Sequence, residues 1–498
     1  MHSFVEQEAK YDVEPGFAVP DLADVVPAGG RLETTTEQLR SDYFDTADHA
    51  LFRAHMTLRR RTGTTDTGWQ LKVPHPPFRE EIHADADADL GSDAVPEELQ
   101  RLLVGVRGGQ PLRQVASITT ERAVTRLVDA AGRSLAEIDD DTVHATAAGS
   151  SATVSAWREV EVELGEGPVE LLRRLDKRLR RAGARRSRSS SKLARALPAE
   201  VTDQAASADA ANAGKRRLTA GDVVSSYLAE QQLVMLAGDV ALRRDDDSAI
   251  HKTRVATRRL RSTLRVFAKL VDPARAAALD QELRWYAAQL GEVRDRQVLR
   301  ARLDTMVDAV DDTLLLGPVK TRIDEELQSE TRDRWHRLQE DLTGERYAGL
   351  LADVAQWVRQ PPFTDAAARP ARTIEKLVRR ADDKVAKKLR YANATGDVHL
   401  LHSARKSAKR ARYAAEAAAP VLGASASSAE AKRYQKLQDL LGKHQDSLVS
   451  ADWLRRVGAK AGTSEGENGF AFGILHEREE RNAAEARRRA RKVARRYA

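Results

Sequence analysis

Two short segments place a charged residue at every second position, which is the pattern of a β-strand with one charged face. Residues 6–10 read Glu-Gln-Glu-Ala-Lys, and residues 159–163 read Glu-Val-Glu-Val-Glu. Because successive side chains of a strand point to opposite sides, each segment puts three charged groups on one face. For a single strand, a solvated surface explains this pattern more readily than a polar interior does.

Further segments of the first 200 residues repeat the pattern with basic or acidic faces. Arg59 and Arg61 alternate in Leu-Arg-Arg-Arg, Lys72 follows in Trp-Gln-Leu-Lys, and a Glu-Ile-Asp run ends at Asp139. Closing a sheet into a barrel gives every strand an inward face. A barrel with a charged lumen therefore accounts for all of these segments together.

The order of the motifs resembles the CYTH family, the triphosphate tunnel metalloenzymes. The opening E-x-E-x-K is residues 6–10, and the core motif is Tyr-Phe-Asp-Thr at 43–46 followed by Leu51 and Leu-Arg-Arg-Arg at 58–61. The closing elements are the glutamate strand 159–163 and Ser191-Lys192. The resemblance covers residues 1–197 and implies an eight-stranded antiparallel β-barrel tunnel.

The resemblance also implies the site residues and the cofactor. Carboxylates would hold one or two Mg²⁺ or Mn²⁺ ions, and the register of the last strand leaves open which of its glutamates take part. The implied metal ligands are Glu6, Glu8, Glu161 and Glu163, with Glu159 or Asp139 as further candidates. The implied catalytic cations that bind phosphate oxygens are Lys10, Arg59, Arg61, Lys72, Arg122, Arg126 and Lys192.

Length and composition set wider limits. At 498 residues, two or three domains are expected. The absence of cysteine excludes disulfides, thiolate metal sites and thiol nucleophiles. No apolar run is long enough to cross a membrane, and the N-terminus lacks the pattern of a signal peptide, so we expect a cytoplasmic protein.

The composition changes after residue 198. Ten of the sixteen prolines precede residue 199, and a small-residue stretch suggests a linker at 198–217. From 218 to 498 the sequence is rich in Ala, Leu, Arg, Glu and Gln, which favour helices. We predict a multidomain α+β protein whose second domain is all-α.

The helical part contains an internal repeat. Lysine or arginine follows His251 at +3, +7, +8 and +10, and the same offsets hold after His402. A Leu-Gly segment begins 39 positions after each histidine, and an aspartate, Asp295 or Asp446, lies 44 positions after it. This register predicts two equivalent helical bundles, at about 218–345 and 370–498.

Each copy also carries a stripe of basic residues. At about 100° per residue, His251, Arg254, Arg258, Arg261 and Arg265 fall within roughly 80° of a helix surface. Like charges at this spacing repel by a few tenths of a kcal/mol per pair, so a bound polyanion would relieve both helices. A solvated face is the alternative for one such helix, and two in register favour the polyanion.

This half resembles the CHAD family, helical domains implicated in binding inorganic polyphosphate. Its H-x-x-R-x(3)-R-x-x-R signature is matched at His251 and again at His402, where lysine replaces one arginine. The implied polyphosphate ligands are His251, Arg254, Arg258, Arg261, Arg265, His402, Arg405, Lys409, Arg410 and Arg412.

Together these features predict a metal-dependent inorganic triphosphatase joined to a polyphosphate-binding domain. The alternatives are a non-catalytic polyphosphate-binding protein, a nucleic-acid-binding protein and an adenylate cyclase. Nucleic acid is disfavoured because aromatic residues make up only 5% of the chain and do not interleave with the basic stripes. Triphosphate and polyphosphate are the expected partners, a membrane is not, and polyphosphate granules are one expected location.

Overall fold

A computed structural model describes residues 1–63, 67–76, 78–84, 94–148, 153–202, 217–395 and 398–497. Some side chains within these ranges are not described, namely those of Asn393, Val398, His399, His402, Arg491 and residues 493–497. The chain divides into two compact units, residues 1–208 and 209–498. Most of the predicted linker, residues 203–216, lies outside the described residues.

The first unit is built on one antiparallel sheet. Its hydrogen-bonded order is β1-β6-β5-β4-β3-β7-β8-β9-β2-β10. The strands are β1 (His2–Glu6), β2 (Glu8–Asp12), β3 (Arg31–Asp45), β4 (Thr57–Thr62), β5 (Gly68–His75), β6 (Phe78–Ala84), β7 (Arg113–Val128), β8 (Ser134–Ala147), β9 (Thr153–Leu164) and β10 (Arg185–Arg186). The helices of this unit are α1 (Ala50–Arg53), α2 (Glu97–Leu102), α3 (Val104–Arg107), α4 (Val169–Arg181) and α5 (Lys192–Ala196).

Among the described residues the sheet has ten strands, whereas the family resemblance implies eight. One extra strand arises because the first predicted strand is divided at Gln7 into β1 and β2. These two pieces pair with β6 and β9, near opposite ends of the strand order, although they are consecutive in the chain. The other addition is β10, two residues that pair with β2.

One face of the sheet is apolar and packs against α4. Leu171, Leu175 and Leu179 recur every four residues, so they share one side of α4, and all three are buried. They lie in a cluster with β-strand residues such as Val160 and Val162. Because strand side chains alternate, this packing leaves Glu159, Glu161 and Glu163 on the opposite face.

Two local motifs of the first unit have structural roles. The Asp45 carboxylate accepts hydrogen bonds from the backbone N–H groups of Thr46, Leu51 and Phe52 at 2.6–2.9 Å, which fixes the turn from β3 into α1. The Ser191 hydroxyl caps α5 by accepting the N–H of Ala194 at 3.1 Å. This cap fixes the start of the helix on which the next residue, Lys192, lies.

The described part of the second unit is helical. Its α-helices are α6 (Ala220–Leu242), α7 (Ala249–Val266), α8 (Pro273–Asp308), α9 (Val319–Thr343), α10 (Glu345–Arg359), α11 (Thr373–Thr395), α12 (Val398–Ala417), α13 (Ala419–Leu422), α14 (Ala424–Ala461) and α15 (Phe470–Tyr497). The predicted all-α character is confirmed. The two repeats place their basic stripes on α7 and α12, which pack against each other.

The apolar side of α7 lies in the core, as its periodicity predicts. Leu260, Leu264 and Phe267 are all buried. Burying this side turns the basic stripe away from the core. Among the described residues, no helix combines the length and apolar character needed to cross a membrane.

Candidate functional site

The charged face of the sheet lines a cavity of about 250 Å³, which we call the sheet cavity. Most of the predicted site residues of the first unit line it. These are Glu6, Glu8, Lys10, Arg59, Arg61, Lys72, Arg122, Asp139, Glu161, Glu163 and Lys192. The structure therefore brings together side chains from seven strands and α5.

One side of the sheet cavity is organised around Lys72. Its ammonium lies 2.7 Å from both carboxylate oxygens of Glu6 and 2.8 Å from Glu81. Glu81 also lies 2.8 Å from Nε2 of His83 and 3.8 Å from the guanidinium of Arg59. Cations and carboxylates alternate here, so each buried charge has an opposite charge beside it.

The other side is organised around Lys192. Asp141, Glu159 and Glu161 each offer a carboxylate oxygen, and these oxygens lie within 4.8 Å of one another. The ammonium of Lys192 lies 2.8 Å from one oxygen of each. We call these three residues the acidic triad.

Arg122 and Lys10 add two more cations to the triad side. Arg122 donates a bidentate pair of hydrogen bonds to Asp141 at 2.8 Å and also contacts Asp139 and Glu161. Lys10 lies 2.5 Å from Glu161 and 3.0 Å from Glu8. Glu161 thus has three cations beside it, counting Lys192.

Burial and neighbouring charge separate the carboxylates by acidity. Burial raises the pKa of Glu6 to about 8 and that of Asp139 to about 8, although Lys72 and Arg122 respectively oppose the rise. Burial also acts on Glu161, but Lys10, Lys192 and Arg122 together hold its pKa well below the usual range. A further cation in this cavity would favour the ionised forms of Glu6 and Asp139.

The acidic triad has the chemistry of a hard-cation site. Carboxylate oxygens are the ligands that Mg²⁺ and Mn²⁺ prefer. The Oδ1 atom of the nearby Asp139 is buried and has no hydrogen-bond partner among the described residues, so the site holds an oxygen that can accept a ligand bond. The residues present therefore fit a divalent metal.

Two predicted residues do not line the sheet cavity. Arg126 pairs with Glu137 at 2.7 Å, and its side chain is 35% exposed. Glu159 is not among the lining residues, but it belongs to the acidic triad and accepts a hydrogen bond from Trp157 at 2.6 Å. Of the three alternating glutamates, Glu161 and Glu163 line the cavity, and Glu159 and Glu161 belong to the triad.

Sequence reasoning missed Asp141 and gave Glu81 no role as a ligand. Asp141 lies two residues after Asp139 on β8, so the same alternation that selected Asp139 also places Asp141 on that face. Glu81 lies opposite Lys72 in the pairing of β5 with β6. Only that cross-strand register shows that the two side chains meet.

The second unit has a larger cavity, of about 880 Å³, which we call the basic cavity. Among the described residues, eleven lysine and arginine side chains line it against two carboxylates, those of Asp295 and Asp446. The predicted residues in the lining are His251, Arg254, Arg258, Arg261, Arg265, Arg405, Lys409 and Arg410. Both copies of the repeat therefore contribute to one cavity.

Some residues differ from the predicted set. Arg412 is absent from the lining; it pairs with Glu416 at 3.3 Å and lies over the ring of Tyr413. The side chain of His402 lies outside the described residues. Four further cations line the basic cavity, Arg284, Arg294, Arg302 and Lys406, and three of them come from α8, which carries no basic stripe that the sequence could reveal.

Burial and mutual repulsion disfavour the charged state of several cations here. Burial, reinforced by Arg258 and Arg405, lowers the pKa of Lys409 to about 6. Burial also lowers the pKa values of Arg258 and Arg405 from their ordinary value. The repulsion expected between like-charged residues therefore acts among Arg258, Arg405 and Lys409, where the basic stripes of α7 and α12 meet.

Few carboxylates offset these charges. Arg261 and Arg265 share Asp280, at 3.2 and 2.5 Å. Arg254 lies 3.5 Å from Asp295. A polyanion would supply the negative charge that these few carboxylates do not.

Comparisons with known proteins agree with both halves. The CYTH domain matches residues 6–197, and the CHAD domain matches residues 226–455. The uncharacterized protein Rv2226 of Mycobacterium tuberculosis (strain H37Rv) is 35% identical over 503 residues, covering 95% of this chain and 93% of that protein. The predicted order of the two domains is confirmed.

Two solved structures show partial similarity. PptA from Streptomyces chartreusis is 20% identical with a TM-score of 0.47, covering 55% of this chain and 99% of that one. The CHAD domain from the plant Ricinus communis is 23% identical with a TM-score of 0.45, covering 55% of this chain and 92% of that one. The two domain matches, and the relative that is 35% identical over 95% of this chain, show that the chain belongs to the family of proteins in which a CYTH domain is followed by a CHAD domain.

Proposed function

We propose that the protein is a metal-dependent inorganic triphosphatase joined to a polyphosphate-binding helical domain. The observation that carries the proposal is the sheet cavity, whose described lining combines seven lysine and arginine side chains with six carboxylates. Phosphoryl transfer depends on positioning and on neutralising the charge of the phosphate oxygens. A cavity with both kinds of group can bind a triphosphate and a divalent cation together.

The cations of the sheet cavity bind the phosphate oxygens. Arg59 and Arg122 present planar guanidinium groups that can hold two oxygens at once, whereas Lys10, Lys72 and Lys192 act as point charges. Burial of these groups strengthens each contact, because the local dielectric is low. β1 and β2 are consecutive through Gln7 and pair with β6 and β9. A tunnel closed by this connection would surround the substrate with these groups.

The ion pairs already present support a role for metal. A triphosphate that takes Lys72 and Lys192 as partners removes them from Glu6 and from the acidic triad. Buried carboxylates left without a partner are strongly destabilising. Carboxylates of the triad would hold Mg²⁺ or Mn²⁺ in exchange, and Glu6 and Glu8 would be candidate ligands of a second ion. A bound ion would supply an activated water and neutralise phosphate charge.

A phosphate-release assay tests this activity. Tripolyphosphate, pyrophosphate, long-chain polyphosphate, ATP and thiamine triphosphate are compared with Mg²⁺ or Mn²⁺, and nucleotide products are analysed so that a cyclase would be recognised. We expect Glu161→Gln to lower the rate on tripolyphosphate by 10²-fold or more, since Glu161 contacts Lys10, Lys192 and Arg122. Glu170→Gln on α4, whose side chain is 70% exposed, is the control and should match the wild type.

The activity proposal fails if wild type and Glu161→Gln release phosphate at the same rate. A non-catalytic polyphosphate-binding protein is then the favoured function, because the basic cavity alone supports it. Binding is tested by competition among polyphosphate, DNA and RNA at one salt concentration. Unchanged polyphosphate binding after Arg258→Glu together with Arg405→Glu would remove the binding role as well.

A further inference from the structure

The repeated Leu-Gly segments are not explained by polyphosphate contacts alone. Each places a glycine 40 positions after the histidine of its repeat and an aspartate four residues later, Gly291 with Asp295 and Gly442 with Asp446. Residues four apart share one face of a helix. Both pairs lie within long helices, α8 and α14, where a glycine is less favourable than an alanine.

The guanidinium group of Arg254 occupies the space beside Gly291. A Cβ atom added at Gly291 would lie 3.2 Å from Nη2 of Arg254 and 3.3 Å from its Nε. The three nearest atoms to such a Cβ all belong to this one guanidinium group. The Arg254 Nη2 atom also lies 3.5 Å from Asp295, one helical turn further along.

The second repeat has the same arrangement. A Cβ atom at Gly442 would lie 3.0 Å from Nη2 of Arg405, and its three nearest atoms again all belong to that guanidinium. Gly442 is buried, as Gly291 is. In both repeats the Nε atom of the arginine is buried without a hydrogen-bond partner among the described residues.

We propose that Gly291 and Gly442 are positioning residues for polyanion binding: each leaves the space in which Arg254 or Arg405 lies flat against a helix and faces the basic cavity. This inference rests on the proposed polyphosphate binding. The aspartate four residues on from each glycine lines the same cavity. The glycine thus fixes the place of the guanidinium, and the nearby carboxylate partly balances its charge.

Two independent copies make a packing accident a poor explanation. The two arginines occupy the same +3 position of their repeats, and the glycines the same +40 position. Helix geometry alone does not require glycine at either site, because ordinary residues form helices more readily. A methyl group at either position would require the end of the arginine to shift by a few tenths of an ångström.

The test uses the full chain and polyphosphate of defined length. We expect Gly442→Ala to weaken polyphosphate binding several-fold, because the guanidinium of Arg405 must move by a few tenths of an ångström. Arg405→Ala should in addition reduce the slope of log K against log salt by about 0.7–0.9, the change expected when one phosphate is no longer neutralised. Gly291→Ala should act alike through Arg254. Gly349→Ala is the matched control, since Gly349 is also helical and a Cβ there would meet nothing within 4 Å.

A double-mutant cycle separates positioning from general damage. In an Arg405→Ala background, Gly442→Ala should have no further effect on affinity, because the group that it displaces is gone. In an Arg254→Ala background it should keep its effect. If Gly442→Ala impairs folding, adding Arg405→Ala should restore the melting temperature, because the space beside residue 442 is then empty.

The outcomes are distinct. Absence of polyphosphate binding by the wild type would overturn the binding function and this inference with it. Wild-type binding that Gly442→Ala and Gly291→Ala leave unchanged would overturn the inference alone. Additive losses for Gly442→Ala and Arg405→Ala, or a folding defect that Arg405→Ala does not relieve, would also overturn it.

Discussion

Polyphosphate binding to the basic cavity should take up a proton at Lys409. Burial and the repulsion of Arg258 and Arg405 lower the pKa of Lys409 to about 6, so the free protein holds this side chain mostly uncharged above pH 7. A phosphate chain in the cavity reverses the local charge and favours the ammonium form. Binding and protonation of Lys409 are therefore linked.

The magnitude follows from the size of the pKa shift. Each pH unit above the pKa adds about 1.4 kcal/mol to the free energy needed to charge the group, so protonating Lys409 at pH 8 costs about 3 kcal/mol. If binding requires the charged form, affinity should fall by up to about tenfold per pH unit between pH 7 and pH 9. Proton uptake should approach one per bound chain at pH 8.

Isothermal titration calorimetry measures this uptake directly. Titrations at pH 8 in buffers of different ionisation enthalpy give the number of protons from the dependence of the observed heat on the buffer. Lys409→Arg should abolish the uptake and flatten the pH dependence, because arginine stays protonated. Lys406→Arg is the control, since Lys406 lines the same cavity but is exposed, and it should leave the uptake unchanged.

His251 is a second group whose protonated form would be favoured by bound phosphate. In the free protein, burial and the nearby Arg294 lower the pKa of His251 from 6.5. Working at pH 8 and repeating the titration with His251→Asn separates its contribution from that of Lys409. Uptake near zero in the wild type, or uptake that survives Lys409→Arg, would refute the reasoning.

Three further predictions concern stability and the sheet cavity. Between pH 6 and about 10 the unfolded chain binds a proton at Lys409 that the folded chain does not. The free energy of unfolding without polyphosphate should therefore rise with pH in this range, and Lys409→Met should reduce that rise in urea melts. Asp141→Asn should weaken Mn²⁺ binding 10–100-fold, whereas Asp140→Asn, whose carboxylate pairs with Arg158 instead, should change it less than twofold by calorimetry. Arg59→Ala should raise the KM for tripolyphosphate at least tenfold, whereas Arg126→Ala should leave it within about twofold, and equal effects would contradict the placement of Arg126 outside the sheet cavity.

The alternation of charge in the first unit predicted much of the sheet cavity. It selected Glu6, Lys10 and Glu161 because a strand fixes which side chains share a face. It did not show which strands lie side by side, and that pairing brings Asp141 next to Glu159 and Lys72 next to Glu81. The division at Gln7 was also hidden, since it depends on the first strand pairing with two different neighbours.

The repeat in the second unit predicted two basic helices but not that they meet in one cavity. Periodicity fixes the faces of α7 and α12, whereas their contact depends on the packing of helices that are about 150 positions apart in the chain. Arg284, Arg294 and Arg302 were not predicted either, because they lie on α8 among residues of both charges, and only the packing of α8 shows that they line the cavity. The Leu-Gly segments were found as a pattern, and only the space beside Gly291 and Gly442 gives them a physical role.

The proposed function predicts that the two cavities bind phosphate in different ways, because their charges are balanced differently. In the sheet cavity Lys72 and Lys192 already have carboxylate partners at 2.7–2.8 Å, so an anion must replace those partners, and a divalent cation is needed for the carboxylates that it releases. In the basic cavity eleven cations face two carboxylates among the described lining residues. Arg254, Arg261, Arg265 and Arg302 pair with carboxylates, and an anion would relieve the repulsion among the remaining cations. The first arrangement suits a short substrate that is bound with metal and converted, and the second suits retention of a long chain by charge alone. If the proposed function holds, one class of ligand, the phosphoanhydrides, accounts for both charge patterns in the chain.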